Sequence, residues 1–264
     1  MKRILSVQDL SCVGKCSLSI ALPVLSAMGC SCTPLPTGIL SSHTAFPNPH
    51  VRDLTDDLAP TCRHWQEIGA EFDTISIGYL ANPKQVYALQ SLLDMFPAQV
   101  VLDPVLGDNG KLYKNITPQH VDAMVALCEK ADVLLPNVTE AALLTGIPYV
   151  QDPDMAYCQK LLDGLSRLGC KNAIITGVCL SPETIGFVGA EKGEVFSYQG
   201  SKCAGAHGTG DLFSAVFAGT ITRGASLQTA AKKAANFVET VLAGQKEVSP
   251  FGLSFEKHLS SLWE

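Results

Sequence analysis

Short apolar runs recur along this chain, each followed by a stretch with apolar residues at helical spacing, and this alternation most limits how it can fold. Ile4–Val7, Cys32–Thr37, Thr74–Tyr79, Gln99–Asp103, Val133–Pro136 and Ala173–Thr176 read as strands. Leu18, Ala21, Leu22 and Leu25 mark a helix that Gly29 ends. Helical patterns return over Lys84–Met95, Pro118–Lys130, Thr139–Thr145 and Pro153–Leu168. Apolar strands separated by helices pair in parallel and are covered on both sides, so the pattern predicts an α/β fold with a mostly parallel central sheet and helices on both faces. Towards the C-terminus the pattern changes. Ile185–Val188 and Glu194–Tyr198 flank Gly189–Gly193 as a hairpin would, and three helical segments follow from Leu212 to the end. The 264 residues, 47% of them hydrophobic, can bury the core of a single domain spanning 1–264, with no internal repeat or linker.

Charge narrows the partners. A formal net charge of −6 with 17% charged residues offers neither a basic face for nucleic acid nor a polybasic patch for anionic lipid, which points to small-molecule ligands. The apolar run before Gln8 and Asp9 is too short for a signal peptide, and no later run is long enough to span a membrane; a cytoplasmic protein is expected. The ten cysteines are scattered without a Cys-x-x-Cys pair, and the six histidines lack zinc spacing. In a reducing compartment such cysteines are mostly small buried hydrophobes, with Cys12 and Cys16 near a loop as the alternative, reactive thiols.

Polar residues gather at the carboxyl ends of the predicted strands, where open α/β sheets bind ligands. These are Gln8-Asp9, Thr37–Thr44, Gly78-Tyr79, Asp103-Pro104, Asn137 and Thr176-Gly177. A further segment, Ala204-Gly205-Ala206-His207-Gly208-Thr209-Gly210-Asp211, leads into the helical pattern that begins near Leu212. Glycines let N–H groups converge and a helix start adds its positive dipole end, so Gly208, Thr209 and Gly210 are built to hold an anion. Asp211 either accepts a proton from a hydroxyl attacking a phosphate or caps the helix. Asp103 and Asp108, on one loop, either organise Mg²⁺ and phosphate or make a turn. Asn137 and Glu140 have the spacing of a capping box, and Glu140 also suits Mg²⁺. Thr176 either donates to a terminal phosphate or ends a strand.

Gly208-Thr209-Gly210-Asp211, Asn137-Val138-Thr139-Glu140, Asp103-Pro104-Val105 and Thr176-Gly177 occur in the order and spacing of the ribokinase-like superfamily. Val7-Gln8 with Gly14, Pro34-Leu35-Pro36-Thr37 leading to Ser41-Ser42-His43-Thr44, and Gly78-Tyr79-Leu80 resemble the pyridoxal kinases. The resemblance covers nearly the whole chain. It implies a ribokinase-like fold and ATP- and Mg²⁺-dependent phosphorylation of the 5′-hydroxymethyl group of pyridoxal, pyridoxine or pyridoxamine. By the same resemblance Asp211 is the catalytic base, with the Gly208, Thr209 and Gly210 amides as anion hole. Asp103, Asp108, Asn137 and Thr176 are set against ATP, Glu140 against metal, and Asp9, His43, Thr44 and Tyr79 against the substrate. It also implies a homodimer and, as in many members, a monovalent cation such as K⁺. The chain departs from these kinases at Asp9, where they usually carry the Ser of Gln-Ser-His. Two alternatives stand beside this reading: a hydroxymethylpyrimidine kinase of the same superfamily, and a non-catalytic vitamer-binding protein on the same fold.

Overall fold

The computed structural model describes residues 1–264 apart from Lys171, Ala204, Lys246, Val248 and Glu264, so the first residue of the glycine-rich segment, Ala204, lies outside the described residues. Along the chain the elements are β1 (Arg3–Ser11), α1 (Leu18–Ala27), β2 (Ser31–Leu40), β3 (Val51–Asp53), α2 (Thr55–Glu67), β4 (Thr74–Ile77) and α3 (Pro83–Leu93). There follow β5 (Gln99–Leu102), β6 (Gly107–Asp108), β7 (Lys111–Leu112), α4 (Pro118–Cys128), β8 (Val133–Leu134), α5 (Val138–Thr145) and α6 (Met155–Arg167). The chain ends with β9 (Ala173–Val178), β10 (Thr184–Glu191), β11 (Glu194–Ser201), α7 (Thr209–Thr222), α8 (Leu227–Ala243) and a 3₁₀ turn, Glu256–Leu262.

Among the described residues one nine-stranded sheet has the order β11-β10-β9-β8-β5-β4-β1-β2-β3. From β9 to β2 neighbouring strands run parallel; β3 at one edge and the β10–β11 hairpin at the other are antiparallel. The strands are apolar on both faces because each face has its own core. Leu5, Val7, Val100, Leu102 and Ile175 pack with residues of α2 to α6, whereas Ile4, Val101, Val133 and Ile174 pack with residues of α1, α7 and α8. This is the two-sided architecture expected from the alternation, with edge strands in which the pairing reverses.

Several boundaries differ from the sequence expectation in ways that matter for the site. β1 runs to Ser11 and β2 to Leu40, so Gln8, Asp9 and the residues from Gly38 to Leu40 are strand residues rather than loop residues. The β1–β2 register shifts between Gln8 and Leu10, a bulge that re-aims Asp9. β3 and α2 fill a segment for which no element was expected: α2 contains Pro60 and buries only Leu58 and Cys62. The stretch after Asp103 folds as the β6–β7 hairpin, whose Asn109 and Gly110 both have positive φ, the backbone an Asn-Gly pair supplies in tight hairpins. All ten cysteines are free, and Cys30, Cys62, Cys128, Cys158 and Cys170 are buried.

Candidate active site

Helix α7 begins at Thr209, three residues before the expected Leu212, with Gly208 as N-cap at φ +92°. A Cβ at Gly208 would stand 2.3 Å from the Lys15 carbonyl oxygen, so conformation and space both demand glycine there. A Cβ on Gly210 would meet nothing within 4 Å, leaving open space at the helix start, where the first-turn N–H groups have no intrahelical acceptors. Asp211 sits in that first turn and does not serve as N-cap. Its half-buried carboxyl is pushed up to about 7, first by burial and then by the charges of Asp103 and Asp9, against the pull of the Ser17 N–H.

Asp9 is 4% exposed and accepts from Ser11 Oγ at 2.8 Å. Burial raises its carboxyl, while hydrogen bonds from the Ser17 and Ser11 hydroxyls oppose the rise. Ser17 thus addresses both acids, through its side chain to Asp9 and its backbone to Asp211, from a backbone at φ +47° that non-glycine residues rarely adopt. Beside them the Cys16 thiol is raised to about 12 by burial, then by Asp211 and Asp9, which makes it a poor nucleophile. Asp9 faces a cavity of about 250 Å³. Thr44 and Tyr79 line the same cavity; Gly38 and Leu40 of β2 with Val51 and Asp53 of β3 form its outer wall, and Ala81, Asn82 and Asn115 complete it.

His43 is not among the lining residues. Its Nε2 lies 3.0 Å from the Pro250 carbonyl oxygen, Ala45 N–H donates to Nδ1, and its ring packs beside Phe46 and His207. A Cβ on Gly14, at φ +104°, would fall 2.0 Å from the His43 ring, so Gly14 is required for the packing that carries Thr44 to the cavity.

On the other side of Asp211, Asp103 directly follows β5 and accepts from Ser214 Oγ at 2.5 Å, one turn beyond Asp211 on α7. Burial pushes Asp103 up to about 6. Glu140 is 3% exposed and pushed up to about 8 by burial and then by the charge of Asp103. Its oxygens accept from Leu106 N–H and Asn137 N–H, both at 2.9 Å, while Asn137 Oδ1 accepts from Glu140 N–H, so the capping box is formed. Asn137 Nδ2 donates to the Gly107 carbonyl, and Gly110 N–H donates to Thr139 Oγ1, which clips the β6–β7 hairpin to α5. Asp108 is exposed on that hairpin and bonded to Asn109. Thr176 pairs with Asn137 across the ends of β8 and β9, its N–H on the Pro136 carbonyl at 2.9 Å. The fold therefore brings Asp9, Thr44 and Tyr79 to one cavity, and Asp103, Asn137, Glu140 and Thr176 to adjoining strand ends, with Asp211 between the two groups. Ser17, Asp53, Asn115 and Ser214 join them without having been singled out in the sequence. Only Ser214 had a readable sign, its spacing of three from Asp211. An open depression at the opposite ends of the strands, lined by Phe72, Asp73, Gln99 and Asp132, contains none of these groups.

The phosphomethylpyrimidine kinase family profile matches residues 25–252. The crystal structure of pyridoxal kinase from Lactobacillus plantarum is 36% identical with a TM-score of 0.92, covering 99% of this chain and 96% of that one. A Bacteroides thetaiotaomicron protein assigned to the phosphomethylpyrimidine kinases and crystallised with pyridoxal is 34% identical with a TM-score of 0.93, covering 99% and 95%. The pyridoxal kinase of Dictyostelium discoideum is 26% identical over 186 residues, 67% of this chain and 60% of that protein.

Proposed function

The chain belongs to the phosphomethylpyrimidine kinase family, in the pyridoxal-kinase branch of the ribokinase-like superfamily, and on that premise we propose that it transfers the γ-phosphate of ATP to the 5′-hydroxymethyl group of a B6 vitamer. One observation carries the reading: a carboxyl poised near neutrality, Asp211, stands at the head of α7 between a cavity for a small ring and a cluster of acids at the strand ends.

In this reading the deprotonated Asp211 accepts the hydroxyl proton as the oxygen attacks phosphorus, and the Gly208, Thr209 and Gly210 amides with the α7 dipole face the charge that develops on the phosphoryl oxygens. A base near pH 7 is matched to that task, because its deprotonated form is present while its basicity is still useful. Asp9, Thr44 and Tyr79 hold the vitamer, and His43 serves it by holding the loop that carries Thr44. Asp103, Asp108, Asn137 and Thr176 shape the ATP side, Asn137 through the hairpin it clips.

Glu140, raised first by burial and then by the neighbouring Asp103, is a carboxyl whose ionised form a bound cation would favour. Mg²⁺ is commonly held by one or two carboxylates together with phosphates, and Glu140 with Asp103 offers that number of carboxylates at the strand ends. When bound, Mg²⁺ neutralises phosphate charge, with Glu140 and Asp103 holding it. A K⁺ requirement, a homodimer and a cytoplasmic setting belong to the same proposal; among the described residues no helix is long and apolar enough to cross a membrane.

The description of the matched family favours one second reading, hydroxymethylpyrimidine as the acceptor. An ATP-consumption screen over pyridoxal, pyridoxine, pyridoxamine and hydroxymethylpyrimidine, repeated with EDTA and with Na⁺ in place of K⁺, separates them. Turnover of at least one vitamer is expected; turnover of hydroxymethylpyrimidine alone overturns the assignment.

A further inference from the structure

The cavity has two walls from distant parts of the chain. The outer wall is the ribbon of β2 and β3 at the edge of the sheet, where β2 stays paired with β1 as far as Leu40 and Leu54 N–H donates to the Thr37 carbonyl at 3.1 Å. The inner wall is the segment from Tyr79 to Asn82 at the entrance to α3. Among the described residues three side chains join them: Asn82 Nδ2 donates to Asp53 Oδ2 at 2.6 Å and Thr37 Oγ1 to the Tyr79 carbonyl at 3.2 Å, while Gln85, buried on α3, bonds to both walls at once. Gln85 Nε2 donates to the Thr37 carbonyl at 2.7 Å, and Gln85 Oε1 accepts from Ala81 N–H, also at 2.7 Å. Gln85 is fully buried, and Ala81 is held from its other side as well: His120 accepts from Thr117 N–H at Nδ1, leaving Nε2–H to donate to the Ala81 carbonyl at 3.1 Å.

Capping does not account for this arrangement. Gln85 is the third residue of α3, where a Gln side chain ordinarily reaches back to the N-cap N–H; here it reaches one residue further back, and also across to another strand. Nor is the bond needed to satisfy a buried carbonyl, because Thr37 O already accepts from Leu54. A buried carboxamide is costly unless both its ends are used, and here both ends are used on the two walls of one cavity.

We propose that Gln85 is a positioning residue for the substrate, fixing the root of the β2–β3 ribbon against the Tyr79–Asn82 wall and so setting the width of the cavity. The inference rests on the reading of that cavity as the vitamer site, and the test includes a measurement that does not depend on turnover.

In the full-length protein, Gln85→Met keeps the length and apolar bulk of the side chain but removes both bonds. Amide hydrogen exchange over residues 38–54 should quicken by on the order of tenfold while β4 and β5 keep their protection. The KM for the vitamer should rise by on the order of tenfold with the KM for ATP unchanged, and more ATP should be hydrolysed per vitamer phosphorylated because water enters a looser cavity. Gln85→Glu supplies the rescue. A protonated carboxyl can donate to Thr37 and accept from Ala81 as the amide does, so its exchange and KM defects, each measured against wild type at the same pH, should shrink as pH falls. Unchanged exchange in residues 38–54 overturns the proposal, as does a variant whose exchange quickens throughout and whose two KM values change together. If wild type phosphorylates no vitamer yet the ribbon still loosens in Gln85→Met, the functional reading fails and the clamp itself stands.

Discussion

Asp211→Asn separates proton acceptance from architecture at the head of α7. Because Gly208 is the N-cap and the Asp211 side chain caps nothing, the substitution costs the helix little, and removing a carboxyl that burial holds near pH 7 relieves a strained charge. We expect a melting temperature equal to or above wild type, near-normal ATP and vitamer binding, and a single-turnover rate lower by on the order of 10²–10⁴-fold. A folded Asn variant with near-normal phosphoryl transfer would remove Asp211 from the chemistry. Asp9 acts on the same titration from the other side. Its charge raises Asp211, so Asp9→Ser should lower the Asp211 pKa and move the acidic limb of kcat/KM, which reports the free enzyme, to lower pH. A carboxylate in the cavity wall also favours an ammonium group over an aldehyde. The same substitution should therefore shift relative kcat/KM from pyridoxamine toward pyridoxal; scaling all vitamers equally would count against direct contact.

Helix α5 shows how a local rule and a functional one coincide in the same residues. The spacing of Asn137 and Glu140 announces a capping box, and the box forms, yet the carboxylate that closes it also receives Leu106 N–H and feels the charge of Asp103. Glu140→Gln keeps one good acceptor where two N–H groups converge, so the variant should fold with stability lower by about 1 kcal/mol. Its half-saturating Mg²⁺ concentration should rise and its rate fall; an unchanged Mg²⁺ titration returns Glu140 to the cap alone. What the sequence made legible follows the same line. Parallel strands with cores on both sides and helices that bury regular stripes were readable, because burial imposes a period. β3 and α2 were not: β3 is three exposed residues with no alternation to read, and Pro60 inside α2, with Leu58 and Cys62 its buried residues, argued against a helix. The β6–β7 hairpin did carry its Asn-Gly sign, but with two residues per strand it offered no alternation to support it. Gln85 was invisible for another reason: its partners lie on β2 and in the loop before α3, and only the fold brings them together.

For the molecule as a whole, the carboxyls gathered at the strand ends make folding stability depend on pH in an unusual direction. Asp103, Glu140 and Asp211 have folded pKa values of about 6, about 8 and about 7, each above the ordinary carboxyl range of the unfolded chain. The native state therefore keeps protons that the unfolded chain has already released. Stability from these groups is fully present below about pH 4 and is lost as pH climbs through 6 to 8, the reverse of a salt-bridged carboxylate. The lowered groups, Asp53 and Asp73, are surface acids with little burial behind them and oppose this trend weakly. In metal-free buffer at constant ionic strength, the melting temperature should be higher near pH 5.5 than near pH 8.5, and Asp211→Asn, which cannot lose a proton, should flatten the slope. Mg²⁺ with ATP should raise the melting temperature more at pH 8.5 than at pH 5.5, because a cation binds the ionised form and spares the fold the charge it otherwise buries. A melting temperature that rises steadily from pH 5.5 to 8.5 without metal would mean that these carboxyls are ionised at no cost in the folded protein, and the cluster could not then be the strained, cation-seeking site that the phosphoryl-transfer reading requires.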